Sequence, residues 1–117
     1  MKKVLVIEND SGTLDVIGLL LADSGFQMLR SENRVPIERI IEQSPRLIII
    51  DYFLNDGYGN EICLELKANP LTKHIPVVLI STAPNIKQIA IESFADGYIA
   101  KPFDIIDLEN IVKALCA

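Results

Sequence analysis

Cysteine is scarce. Cys63 and Cys116 are the only two in 117 residues, and their spacing suits neither a metal site nor a redox pair. They read as reduced thiols in or near packed helices. Basic charge is also short: eleven Lys and Arg face sixteen Asp and Glu, a formal charge of −5, which argues against nucleic acid as a direct ligand. No apolar run approaches a membrane span. Met1-Lys2-Lys3-Val4-Leu5 has neither the length nor the cleavage site of a signal peptide; it reads as the start of a strand, so the cytoplasm is the expected compartment. Low-complexity stretches, linkers and short repeats are missing too, and the length suits one domain over 1–117.

What the chain does have is aliphatic runs. Half of it is hydrophobic, with a mean hydropathy of +0.31, as expected of a sheet covered on both faces. Leu47-Ile48-Ile49-Ile50 runs directly into Asp51 and reads as a central parallel strand. Val4 to Ile7 and Pro76 to Ile80 are further buried strands, Tyr98 to Ala100 a short one, and Phe26 to Leu29 a weaker, edge-like one. Between them lie helical patterns: Leu14, Ile17 and Leu21 behind a cap at Asp10 or Ser11; Ile37, Ile40 and Ile41 after Pro36; Ile62, Cys63 and Leu66; Ile86, Ile89 and Ala90; and Leu108, Ile111, Val112 and Leu115 behind Asp104. Gly25 stops the first helix, and Asn55-Asp56-Gly57 and Asp96-Gly97 read as turns. Five alternations of strand and helix predict an α/β fold: a doubly wound, five-stranded parallel sheet with five helices. The flavodoxin-like order 2-1-3-4-5 is taken from that fold class.

In a parallel sheet the carboxyl ends of all strands share one edge, where ligands of this architecture bind. That edge collects Glu8, Asn9 and Asp10 from the first strand, Asp51 from the third, Ser81 from the fourth and Lys101 from the fifth. Oxygen donors without His or Cys suit Mg²⁺. A metal ion, a lysine and a hydroxyl can each neutralise oxygens on a phosphoryl group, and an aspartate can itself be the nucleophile. The pattern points to a site that accepts a phosphoryl group on Asp51.

Val4–Asp10, Leu47–Gly59, Val77–Thr82 and Tyr98–Phe103 together resemble the receiver domain of two-component response regulators. The resemblance spans nearly the whole chain in order, with Lys101-Pro102-Phe103 and the strand-terminal Asp51 its more specific parts. It implies that Asp51 is the phosphoacceptor. Glu8 and Asn9 would hold Mg²⁺ together with Asp51 and the Phe53 backbone carbonyl. Ser81 and Lys101 would bind the phosphoryl group, with a cis peptide joining Lys101 to Pro102. Ser81 and Tyr98 would be the switch pair, Tyr98 turning inward as Ser81 moves. A histidine kinase or histidine phosphotransfer protein would be the donor, and a downstream protein the target. Three positions depart from the family pattern: Asn9 replaces an acid, Asn55 a proline and Tyr58 an aspartate. Asn9 predicts weaker Mg²⁺ binding, with Asp10 a poorly aimed substitute. The stretch from Pro84 to Gly97 is short for the family, and Phe53, two residues past Asp51, suggests slow loss of the phosphoryl group.

Plainer readings stand beside these. Tyr98 reads equally well as a half-buried strand aromatic. Lys101 could be a solvent-facing strand end and Ser81 a loop-bonding hydroxyl, with Thr82 its alternative. His74 reads as an exposed loop residue. The competing function is a degenerate receiver that acts as an interaction module without phosphorylation, which Asn9 favours. A flavodoxin-type redox protein would need a phosphate loop where Glu8-Asn9-Asp10 stands, and an aspartate-nucleophile phosphatase would need an Asp-x-Asp pair there.

Overall fold

The computed structural model describes residues 2–116. Five strands form one parallel sheet: β1 (Lys3–Ile7), β2 (Gln27–Ser31), β3 (Leu47–Asp51), β6 (Val77–Ser81) and β7 (Gly97–Ala100), in the order β2-β1-β3-β6-β7. Counting only these strands, the order is 2-1-3-4-5, as expected. The helices are α1 (Ser11–Asp23), α2 (Ile37–Gln43), α3 (Gly59–Ala68), α4 (Ile86–Glu92) and α5 (Ile105–Leu115).

Side chains of a strand point alternately to its two faces, so each aliphatic run supplies two cores. On one face Val4, Val6, Leu47, Ile49, Val78 and Ile80 pack with Leu14 and Ile17 of α1 and Leu108 and Val112 of α5. On the other, Leu5, Ile7, Ile48, Ile50 and Leu79 meet Ile40 of α2, Ile62 and Leu66 of α3, and Ile86 and Ala90 of α4. This is why Leu47–Ile50 shows no polar alternation: every residue of β3 is buried.

The local signals hold with small shifts. Asp10 rather than Ser11 caps α1, accepting the Thr13 N–H at 3.0 Å. Gly25, at φ 84°, follows the last turn, where a side chain would be strained. Pro36 sits at the cap position, one residue before α2 begins. The edge strand runs Gln27–Ser31, one residue later at its start and two at its end than its apolar residues suggest, because it extends alongside all of β1. Gly97 is not a turn residue: it opens β7 opposite Val78. The sequence predicts a helix directly after the Asn55-Asp56-Gly57 turn. The structure instead closes a two-residue hairpin there, β4 (Phe53–Leu54) against β5 (Gly57–Tyr58), before α3 starts.

Candidate functional site

β1 and β3 are neighbours, yet the chain leaves β1 toward β2 and leaves β3 in the opposite direction, toward β6, which opens a crevice at their carboxyl ends. Glu8 follows β1 and is fully buried; Asp51 ends β3. The Asp51 side chain keeps 6% of its surface accessible, so its carboxylate is recessed rather than sealed. Lys101 follows β7, where its backbone N–H donates to the Ser81 carbonyl at 2.7 Å. Its Nζ donates to Glu8 Oε2 at 2.9 Å and to Asp51 Oδ2 at 3.2 Å. Three residues from three strand ends thus meet at one ammonium group. The peptide between Lys101 and Pro102 is cis, as expected.

The remaining oxygens are also engaged. Asp51 Oδ1 accepts the Phe53 N–H at 3.1 Å, and Glu8 Oε1 accepts the Asp10 N–H at 3.1 Å. Ser81 ends β6 and is fully buried, its Oγ accepting the Ala83 N–H at 3.0 Å, whereas Thr82 is exposed. Gly59 lets α3 start against this edge. A Cβ there would lie 2.2 Å from the Asp51 carbonyl oxygen, and the Gly59 N–H instead donates to Tyr52 O at 2.8 Å.

Burial pushes the Glu8 carboxyl up to about 7; a hydrogen bond and charge from Asp51 add to the rise, while Lys101 opposes it. Burial alone would lower the pKa of Lys101, but its hydrogen bonds and attraction to Glu8 and Asp51 together outweigh that and raise it. The Lys101 ammonium therefore stays charged beside two carboxyl groups whose charges crowd each other.

Other expected residues lie further out. Asp10 caps α1, its Oδ2 accepting from both the N–H and the hydroxyl of Thr13. Asn9 Nδ2 donates to Asn55 Oδ1 at 3.1 Å. Phe53 packs edge-on against Tyr52, with ring centroids 4.8 Å apart, and Tyr52 against Tyr58 at 5.1 Å. Tyr98 lies on edge strand β7 and is 40% exposed. His74 is exposed, and both cysteines are free and buried. Burial raises the Cys63 thiol to about 11, so it is no nucleophile at neutral pH. Two contacts have no counterpart in the sequence pattern: the Glu8–Lys101 bond and the Asn9–Asn55 bond. The only local hint of the second was the Asn-Asp-Gly turn, a hairpin signal.

The expected ligands Glu8, Asp51, Asn9 and the Phe53 carbonyl offer oxygen donors only, the chemistry that suits a hard divalent cation such as Mg²⁺. Among the described residues no third Asp, Glu, His or Cys joins Glu8 and Asp51 in a metal-sized cluster.

Known proteins share the sequence pattern and the fold. The family profile of the response regulator receiver domain matches residues 4–113. The phosphate regulon transcriptional regulatory protein PhoB of Escherichia coli is 29% identical, the alignment covering 97% of this chain and 51% of PhoB. The chain thus spans about half the length of that relative. The signal receiver domain of a signal transduction histidine kinase from Syntrophus aciditrophicus is 27% identical, with a TM-score of 0.86 over 99% of this chain and 90% of that one. Response regulator TrrA of Thermotoga maritima, crystallised in complex with Mg²⁺ and BeF, shares the fold at a TM-score of 0.86 and 22% identity, over 98% of this chain and 99% of that one.

Proposed function

The chain belongs to the response regulator receiver domain family, and from that premise we propose that it is a signalling switch that accepts a phosphoryl group on Asp51. The observation that carries this reading is the Lys101 ammonium, 3.2 Å from Asp51 Oδ2 and 2.9 Å from Glu8 Oε2. An ammonium so placed can neutralise a phosphoryl oxygen on Asp51 without large movement.

A histidine kinase or histidine phosphotransfer protein is the proposed donor. An Asp51 oxygen attacks phosphorus, the P–N bond to the donor imidazole breaks, and the imidazole leaves. Lys101 and the Ser81 hydroxyl hold phosphoryl oxygens. Glu8, Asp51, Asn9 and the Phe53 carbonyl would hold Mg²⁺, which when bound offsets negative charge on the transferring group. The added charge then shifts a pre-existing conformational equilibrium through Ser81 and Tyr98 toward a state that a downstream protein recognises. Among the described residues no helix is long and apolar enough to cross a membrane, and the free buried thiols suit a reducing compartment; the cytoplasm is the proposed location.

Intact mass after incubation with acetyl phosphate and Mg²⁺ tests the reading. The wild-type chain gains one phosphoryl group and Asp51→Asn gains none. A wild-type chain that stays unmodified favours the second reading, an interaction module that works without phosphorylation. The amide at Asn9 supports that alternative, since it adds no negative charge to the cation site.

A further inference from the structure

Beside the strand-end edge lies a cleft whose side chains the chemistry proposed for Asp51 does not use. It measures about 530 Å³ and is lined by Tyr52, Phe53 and Tyr58 from the β4–β5 hairpin side and by Glu92, the last residue of α4. We propose that this cleft is a docking site for an arginine side chain of a partner protein, its guanidinium held by the aromatic rings and the Glu92 carboxylate. Such a site stands whether or not Asp51 accepts a phosphoryl group.

The lining selects the charge of the occupant. No Lys, Arg or His lines the cleft, so an anion would meet a carboxylate and no cation. The three rings pack as a cluster: Tyr52 and Tyr58 are 5.1 Å apart and tilted by 35°, and Phe53 lies edge-on to them at 4.8 Å and 6.2 Å. The face of an aromatic ring carries partial negative charge and attracts a cation. Glu92 is exposed and its Oε1 accepts from Gln88 Nε2 at 3.0 Å. Among the described residues no Lys or Arg pairs with it. A cation entering the cleft therefore displaces no resident one.

Arginine matches both features. Its planar, weakly hydrated guanidinium stacks on aromatic faces and donates to a carboxylate, whereas a lysine ammonium is a compact, strongly hydrated charge. The openness of the cleft decides the source. Phe53 is 45% and Tyr58 50% exposed, whereas a pocket for a free small molecule buries roughly 70–90% of its ligand. A side chain presented by a larger surface needs no such enclosure, because the rest of that surface completes the contact. The formal charge of −5 also favours approach of a basic partner.

The rings have a structural task as well. Phe53 and Tyr58 stand directly opposite each other in the hairpin, and their contact helps to hold its two strands together. Glu92 has no share in that task, since it belongs to α4.

The test is a titration of the full, unphosphorylated chain with Nα-acetyl-arginine amide, followed by the NMR ring signals of Tyr52, Phe53 and Tyr58. These signals shift and saturate. The neutral isostere, Nα-acetyl-citrulline amide, leaves them in place, and the lysine amide binds more weakly. Glu92→Gln melts like wild type and weakens binding about 2- to 5-fold, as loss of an exposed ion pair does. Tyr58→Leu weakens it by a similar factor, about 2- to 5-fold, as loss of an exposed cation–π contact does. Where the melting curve of Tyr58→Leu shows a loosened hairpin, Glu92→Gln decides alone. Equal shifts from the citrulline amide, wild-type affinity in Glu92→Gln, or shifts confined to the surroundings of Glu61 and Glu65 overturn the proposal. A lysine amide that binds as tightly as the arginine amide overturns the guanidinium assignment, and free arginine that binds more tightly than its amide overturns the assignment to a partner protein. None of these outcomes bears on phosphoryl uptake at Asp51, which intact mass reads separately.

Discussion

Glu8 shows how one position makes a site both possible and costly. Burial pushes its carboxyl up to about 7 in the folded chain, against 4.5 for a free glutamate side chain. A raised value in the folded state means that the contribution of Glu8 to stability is fully present below 4.5 and is lost as pH rises through about 7. In metal-free protein, Glu8→Gln is therefore more stable than wild type above that value, and the gap closes toward 4.5. Melting temperatures of the two chains across this range check it; a gap that does not vary with pH rejects the assignment. A bound cation must displace the same proton, so Mg²⁺ affinity of the wild type rises over that window. The cysteines make the contrast: Cys63 is equally buried but donates to the Ser93 carbonyl as a neutral thiol, and no charge is required of it.

The elements place these residues by close contact. α3 can start against the end of β3 only because Gly59 has no side chain, with the Asp51 carbonyl 2.2 Å from where a Cβ would stand. Ile50 Cγ2 lies 2.7 Å from the same point. Neither neighbour can yield, since one is backbone and the other is packed in the core. Gly59→Ala is expected to cost about 1–3 kcal/mol, as overpacking does, and to move the Asp51 backbone. Chemical denaturation gives the loss of stability, and phosphoryl uptake from acetyl phosphate gives the displacement. A variant with wild-type stability and uptake would mean that the junction has slack which the packing does not show. The β4–β5 hairpin is the complementary case. It is too short to stand alone and is held by Arg34, which links its turn to α3.

At the level of the whole molecule, the two faces of the sheet are buried and the strand-end edge is left to function. Tyr98 is 40% exposed on β7, an edge strand against which both α4 and α5 pack. If phosphorylation pulls Ser81 toward Asp51, Tyr98 should lose exposure. Ring signals of Tyr98 then become less sensitive to a soluble paramagnetic agent on phosphorylation in the wild type, and stay unchanged in Ser81→Ala. The same loss of sensitivity in Ser81→Ala would break the link between the two residues. Much of this architecture was legible in the chain itself. An unbroken run such as Leu47–Ile50 declares a strand buried on both faces, helical spacing declares its neighbours, and an Asp or Lys at a run's end places polar chemistry on one edge. These signals are local, because burial acts on each residue according to its own side chain and that of near neighbours. Lys101 meeting Glu8 across 93 residues, Asn9 meeting Asn55 across 46, and Gly59 lying against Asp51 were decided only by the tertiary structure. Such contacts depend on where loops settle once the sheet has brought their ends together, and a directional bond that forms within about 3 Å leaves no periodic trace in the sequence.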